Sequence, residues 1–144
     1  MAIQGVYAGI RVTKLNNIGA DATPNRVVVL DSADPDGFDL PSGAGVVGFG
    51  VLLIDMRYES GVTPDTKSGS IQISGVKDIE CGGAISAWHY VKIKDTTGVI
   101  VDAGAVDSMS DGSTQTNVVG IALEVGEDGS LASIWLNPQT LFLA

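Results

Sequence analysis

The stretch from Trp88 to Val101 restricts this chain more than any other. In Trp88-His89-Tyr90-Val91-Lys92-Ile93, strand alternation sends Trp88, Tyr90 and Lys92 to one side and His89, Val91 and Ile93 to the other. Asp95-Thr96-Thr97-Gly98 is turn chemistry: an Asp side chain can bond its own backbone, and glycine tolerates positive φ. The β-branched run Val99 to Val101 then suits a returning strand. A strand, a tight turn and a second strand are predicted here.

The same grammar repeats along the chain. Residues 3–14 alternate, with Val6, Ala8, Ile10 and Val12 on one face, which predicts a half-buried strand. Asn16 to Asn25 reads as loop, and Arg26 to Leu30 as a short strand. Asp31 to Gly45 is the longest polar interruption, and Pro35 and Pro41 argue against a central strand within it. Val46 to Met56 is the most apolar run and is expected to be buried on both faces. Gly48 and Gly50 with the β-branched residues favour strand over helix there.

Glu59 to Gly69 reads as loop, Ser70 to Val76 as a strand with Ile71 and Ile73 on one face, and Glu80 to Gly83 as a turn. Ala103 to Asn117 is expected to be loop. In Val118 to Val125, Val119, Ile121, Leu123 and Val125 should share a face. Gly126-Glu127-Asp128-Gly129 is a hairpin turn. The return strand, Leu131 to Leu136, sets Ala132, Ile134 and Leu136 against Leu131, Ser133 and Trp135, and Asn137-Pro138 is expected to stop it.

Eight or nine short strands at even spacing predict a mainly β protein, a small single-domain barrel or sandwich with long loops and little helix. A length of 144 residues suits one domain, 1–144, with a possible N-terminal arm at 1–5 and a C-terminal tail at 139–144. The 19 glycines favour such a turn-rich β chain. The net charge of −9 and the dispersed Lys and Arg residues argue against direct binding of nucleic-acid phosphate. No apolar run reaches the ~20 residues of a membrane span, and no signal peptide is read at the N-terminus, so folding in the cytoplasm is expected.

Chemistry-bearing residues are sparse. Asp31, Asp34, Asp36 and Asp39 could offer oxygen ligands to a cation, yet the EF-hand spacing is absent and a solvated acidic loop is the simpler reading. Cys81 is the lone cysteine and reads as a small core residue. His89, the lone histidine, has Ser86 nearby but no nucleophile-elbow pattern around it. No phosphate-binding glycine loop is present. Trp88, Trp135, Tyr7, Tyr58, Tyr90 and Phe142 are read as core or subunit-packing residues. The expectation is a binding or structural protein with no catalytic, metal-binding or cofactor-binding residues.

From Leu40 to Pro138 the chain resembles the head decoration, or capsid cement, proteins of tailed bacteriophages. The resemblance rests on an ordered set of features: Leu40-Pro41-Ser42-Gly43-Ala44-Gly45 leading into Val46-Val47-Gly48-Phe49-Gly50-Val51, a strand pair around Ile71 to Val76, and Gly82-Gly83-Ala84-Ile85. The Trp88-to-Asp95 strand, Asn117 to Glu124, and Ala132 to Pro138 complete it. The resemblance implies a β-tulip-like domain that forms homotrimers on the outer surface of an expanded virion head and bridges subunits of the major capsid protein. It implies no catalytic residue and no cofactor. A terminal segment, Ala2 to Gly5 or Thr140 to Ala144, is expected to reach a neighbour. Ile3, Gln4, Trp88, Trp135, Leu141 and Phe142 are the expected subunit or capsid contacts. The competing readings are a β module of another virion part, such as tail or baseplate, and a glycan-binding domain.

Overall fold

The structure, a computed structural model, describes residues 9–53, 68–106 and 115–142. The expected arm at 1–5, the alternation of Val6 with Ala8, Tyr7, Tyr58, and the tail beyond Phe142 lie outside the described residues. Among the described residues there are ten strands and no helix. They are β1 (Arg11–Asn16), β2 (Val27–Leu30), β3 (Gly37–Asp39), β4 (Gly50–Leu52), β5 (Ser68–Gln72), β6 (Gly75–Glu80), β7 (His89–Ile93), β8 (Ile100–Ala105), β9 (Gln115–Ala122) and β10 (Leu131–Phe142). The first five close into a barrel in the order β1-β3-β2-β4-β5, and the last five form a sheet in the order β6-β10-β9-β7-β8. The mainly β architecture read from the sequence is the architecture found.

Alternation along single barrel strands feeds two cores at once. Val28 on β2 and Leu52 on β4 point into the barrel, where they meet Ala22, Phe38 and Ile71. Their neighbours Val27 and Val51 point outward and pack with Ile79, Val91, Ile93, Ile100, Val119, Ile134 and Leu136 of the sheet. The outward faces of β2 and β4 are therefore buried, which ties barrel to sheet through apolar contact. Each fully buried aliphatic side chain contributes roughly 1.5–3 kcal/mol, so this shared layer is a main source of cohesion. Gln72 of β5 is buried in the same layer, and its Nε2 donates to the carbonyls of Ser74 and Val76 at 2.9 and 3.1 Å.

Several sequence expectations are corrected. The Asp31–Gly45 interruption holds a strand after all: β3 pairs in parallel with β1 and antiparallel with β2, and Phe38 at its centre is fully buried. Pro35 and Pro41 flank it without removing a donor from the three paired residues. Ile10, expected inside, is exposed, and Asn16 is a strand residue whose buried amide bonds Ala20 and Ile18. Within the apolar run from Val46, only Gly50–Leu52 is strand among the described residues, and Val47 is 63% exposed.

The strand expected at 70–76 ends at Gln72, and the separate β6 follows. Gly75 makes that break at φ 82, against the Gly9 backbone. Ser68 and Gly69 belong to β5, β8 runs to Ala105, and β9 starts at Gln115, so the expected loops there are shorter. In β9, Val119 and Ala122 face the main core while Val118 and Ile121 face the other side, and Val125 is exposed, so the expected single face does not form. Pro138 does not stop β10: the strand bulges between Leu136 and Gln139, where proline is tolerated, and pairs with β9 up to Phe142. The expected tail at 139–144 is thus strand over Gln139–Phe142.

Of the three turns read from the sequence, the one at Glu80–Gly83 is corrected, since Glu80 ends β6 and Cys81 bridges Ile100; the other two are present. Asp95 Oδ1 accepts the Thr97 amide at 2.8 Å, and Gly98 sits at φ 83. The Ser130 amide donates to the Glu127 carbonyl at 3.0 Å, with Gly129 at φ 80.

Candidate interaction surface

The sheet has one face on the main core and one face outward, and β10 makes the division clear. Ala132, Ile134 and Leu136 are buried inward, so Leu131, Ser133 and Trp135 face out. Register then builds a row across the outer face. Trp135 lies opposite Ile121 and Val76, Ile121 lies opposite Tyr90, and Tyr90 lies opposite Gly104. Directly opposed residues share a face. Tyr90, Val118, Ile121, Leu141 and Ala103 pack there as a small satellite cluster. Trp135, 49% exposed, and the exposed Leu131 extend β10's apolar strip on this face toward solvent. β10 pairs with β6 at both positions and with β9 at Trp135 as well.

A polar pair interrupts the strip. Ser133, between Leu131 and Trp135, is buried; its Oγ donates to Asp78 at 2.9 Å and its amide donates to Glu124 at 2.9 Å.

Trp88, 61% exposed, precedes β7 and stands at φ 63, which takes it out of strand geometry. The expected grouping of Trp88 with Tyr90 and Lys92 on one strand face therefore does not hold as drawn. His89 Nδ1 lies 2.8 Å from Asp102 Oδ1. Asp102 also accepts the amides of Ser86 and Gly104 at 3.0 and 2.8 Å. Burial works to raise its carboxyl, but the Ser86 amide, the His89 ring and the Gly104 amide outweigh it, leaving the group below the ordinary carboxylate range. Ser86 contributes its backbone amide to this arrangement. The constellation clasps β7 to β8 where their register shifts, a bulge that allows Ala103 to join the outer cluster.

The remaining candidates separate. Leu141 is half-buried in the satellite cluster, and the Phe142 backbone pairs with Gln115. Ile3 and Gln4 lie outside the described residues. Asp31 and Asp34 are gathered by Asn17, whose Nδ2 donates to both at 3.0 Å, and the Asn17 bond lowers the Asp34 carboxyl. No group of three or more His, Cys, Asp or Glu suited to a metal occurs among the described residues. Cys81 is buried, and burial pushes its thiol up. Sequence alternation set Leu131 on the same face as Trp135, but Leu131 was not among the expected contacts.

Barrel, sheet and shared apolar layer define a class: a small all-β fold with Trp135 and Leu131 exposed on the outer face of its sheet. A solved structure with a similar fold is "The crystal structure of head fiber gp8.5 N base in bacteriophage phi29". The similarity has a TM-score of 0.62 at 15% identity and covers 89% of this chain and 95% of that one. No protein-family model matches the chain, and no curated protein matches it in sequence.

Proposed function

We propose that this chain is a structural protein of a tailed-bacteriophage head: a decoration protein that binds the outside of the expanded shell as a trimer and bridges major capsid subunits. The observation that carries the reading is the fold shared, over 89% of this chain, with the base of a phage head fiber. The sequence resemblance to head decoration proteins supports it independently. The protein acts by binding, without catalysis or cofactor, and the outer strip with Trp135 and Leu131 is the self-association face. Trp88 and the terminal segments that include Ile3, Gln4 and Phe142 supply further contacts.

A trimer suits such work. Once one copy has docked, the other two contacts become intramolecular, and weak single affinities combine into strong attachment. Binding only the expanded shell then stabilises that state by mass action.

The test is co-sedimentation of purified protein with undecorated heads in the unexpanded and expanded forms, with light scattering to count copies in solution. A trimer that pellets with expanded heads is the expected result. A monomer that stays in the supernatant with both forms would remove the proposal.

A further inference from the structure

The barrel wall opens where β2 leaves β4. β2 and β4 pair only at Val27–Val51 and Val28–Gly50, and the Phe49 amide on the Val28 carbonyl, at 2.9 Å, closes that seam. Past it, Val29 and Leu30 continue beside β3 alone. The Asp31 amide bonds the Gly37 carbonyl, so in this antiparallel register Leu30 turns its own amide and carbonyl away from β3, toward the open side.

Two adjoining hollows of about 280 and 310 Å³ lie at this opening, and both are lined by Val29, Leu30 and Val47. Leu30, Leu40 and Val47 come from separate segments, and all three are exposed here. Asp31 and Asp39 also line the first hollow. Asp31 accepts bonds from Asn17 and the Ala33 amide, and Asp39 accepts the Leu40 amide. Neither has a cationic partner among the described residues.

We propose that this notch binds an extended aliphatic segment flanked by Lys or Arg, supplied by a partner protein. The aliphatic side chains fill the hollows, the segment's backbone meets the free edge at Leu30, and its cations meet Asp31 and Asp39. Charge argues against a second copy as the occupant, because this chain carries −9 and its bases are dispersed. The inference deepens the proposed function and rests on it in one respect: the segment belongs to the shell subunit.

The test uses isotope-labelled protein and two capped peptides, Lys-Leu-Val-Leu-Lys and Glu-Leu-Val-Leu-Glu, followed by amide chemical shifts. The basic peptide should give saturable shifts centred on Val29, Leu30, Val46 and Val47 at millimolar concentration, and the acidic peptide none. Asp39→Asn should weaken binding about two- to fivefold, as for an exposed ion pair. Leu30→Ser and Val47→Ser, both at exposed positions, should each weaken it about tenfold or more. Absence of saturable shifts, or equal binding of both peptides, would overturn the notch. Peptide binding without head binding would refute the shell reading and leave the notch standing. Undiminished head binding by Leu30→Ser, with no peptide shifts, would refute the notch alone.

Discussion

Phe38 decides whether the barrel is built as described. It sits at the centre of a three-residue strand between two prolines, fully buried against Val28, Leu52 and Ile71. Replacing it with alanine removes the largest buried side chain of the barrel core and leaves a cavity. Such a change costs about 3–5 kcal/mol, a large part of the ~5–15 kcal/mol that holds a domain of this kind. The corresponding fall in Tm is about 6–20 °C at this chain length. Urea unfolding is the assay, with Val47→Ser as the exposed control, expected within about 0.5 kcal/mol of the parent. The midpoint should fall for Phe38→Ala with an unchanged slope. A loss below about 1 kcal/mol would refute the reasoning, because Gly37–Asp39 would then be a surface loop, as the flanking prolines suggest.

Three further outcomes are expected. Gly98 and Gly129 both sit at positive φ, but a Cβ on Gly98 would lie 2.3 Å from the Val27 carbonyl oxygen, while one on Gly129 meets nothing within 4 Å. Gly129→Ala should cost about 1–2 kcal/mol for conformation alone, and Gly98→Ala clearly more, read by thermal melts; equal losses would mean that turn and β2 are not in contact. Asp102 has a folded carboxyl value below its unfolded one, so its clasp adds stability above the unfolded value and loses it as pH falls through the folded one. Asp102→Asn should flatten that acid-side decline in urea midpoints, and an unchanged pH profile would contradict the clasp. Trp135→Ser should shift light-scattering mass toward monomer while leaving the urea midpoint within about 1 kcal/mol, since the ring is half exposed; a large stability loss with no change in mass would place Trp135 in the fold rather than at an interface.

Much of the sheet was legible because one of its faces is buried. Ala132, Ile134 and Leu136 alternate with outward residues, and the Asp128-Gly129 turn needs glycine for its positive φ, so local sequence was enough. The barrel was harder because its logic is nonlocal. Gly37-Phe38-Asp39 is too short to show a period, and its parallel partner, Leu15–Asn16, lies far back in the chain. Pro138 reads as a stop because sequence does not reveal the bulge that accepts it. Val47 reads as buried because it sits in an apolar run, whereas the seam that exposes it depends on where β2 leaves β4. Of the outer face, Trp135 was legible from its aromatic character. The notch was not, since Leu30, Leu40 and Val47 meet only after the barrel closes.

The proposed role turns on whether this protein occupies fixed positions on a phage shell. Electron cryo-microscopy of expanded heads mixed with saturating purified protein measures this directly. The account predicts three-lobed density on the outer surface that spans adjacent shell subunits. Bare shells at saturation, or density confined to a tail or to the shell interior, would contradict it.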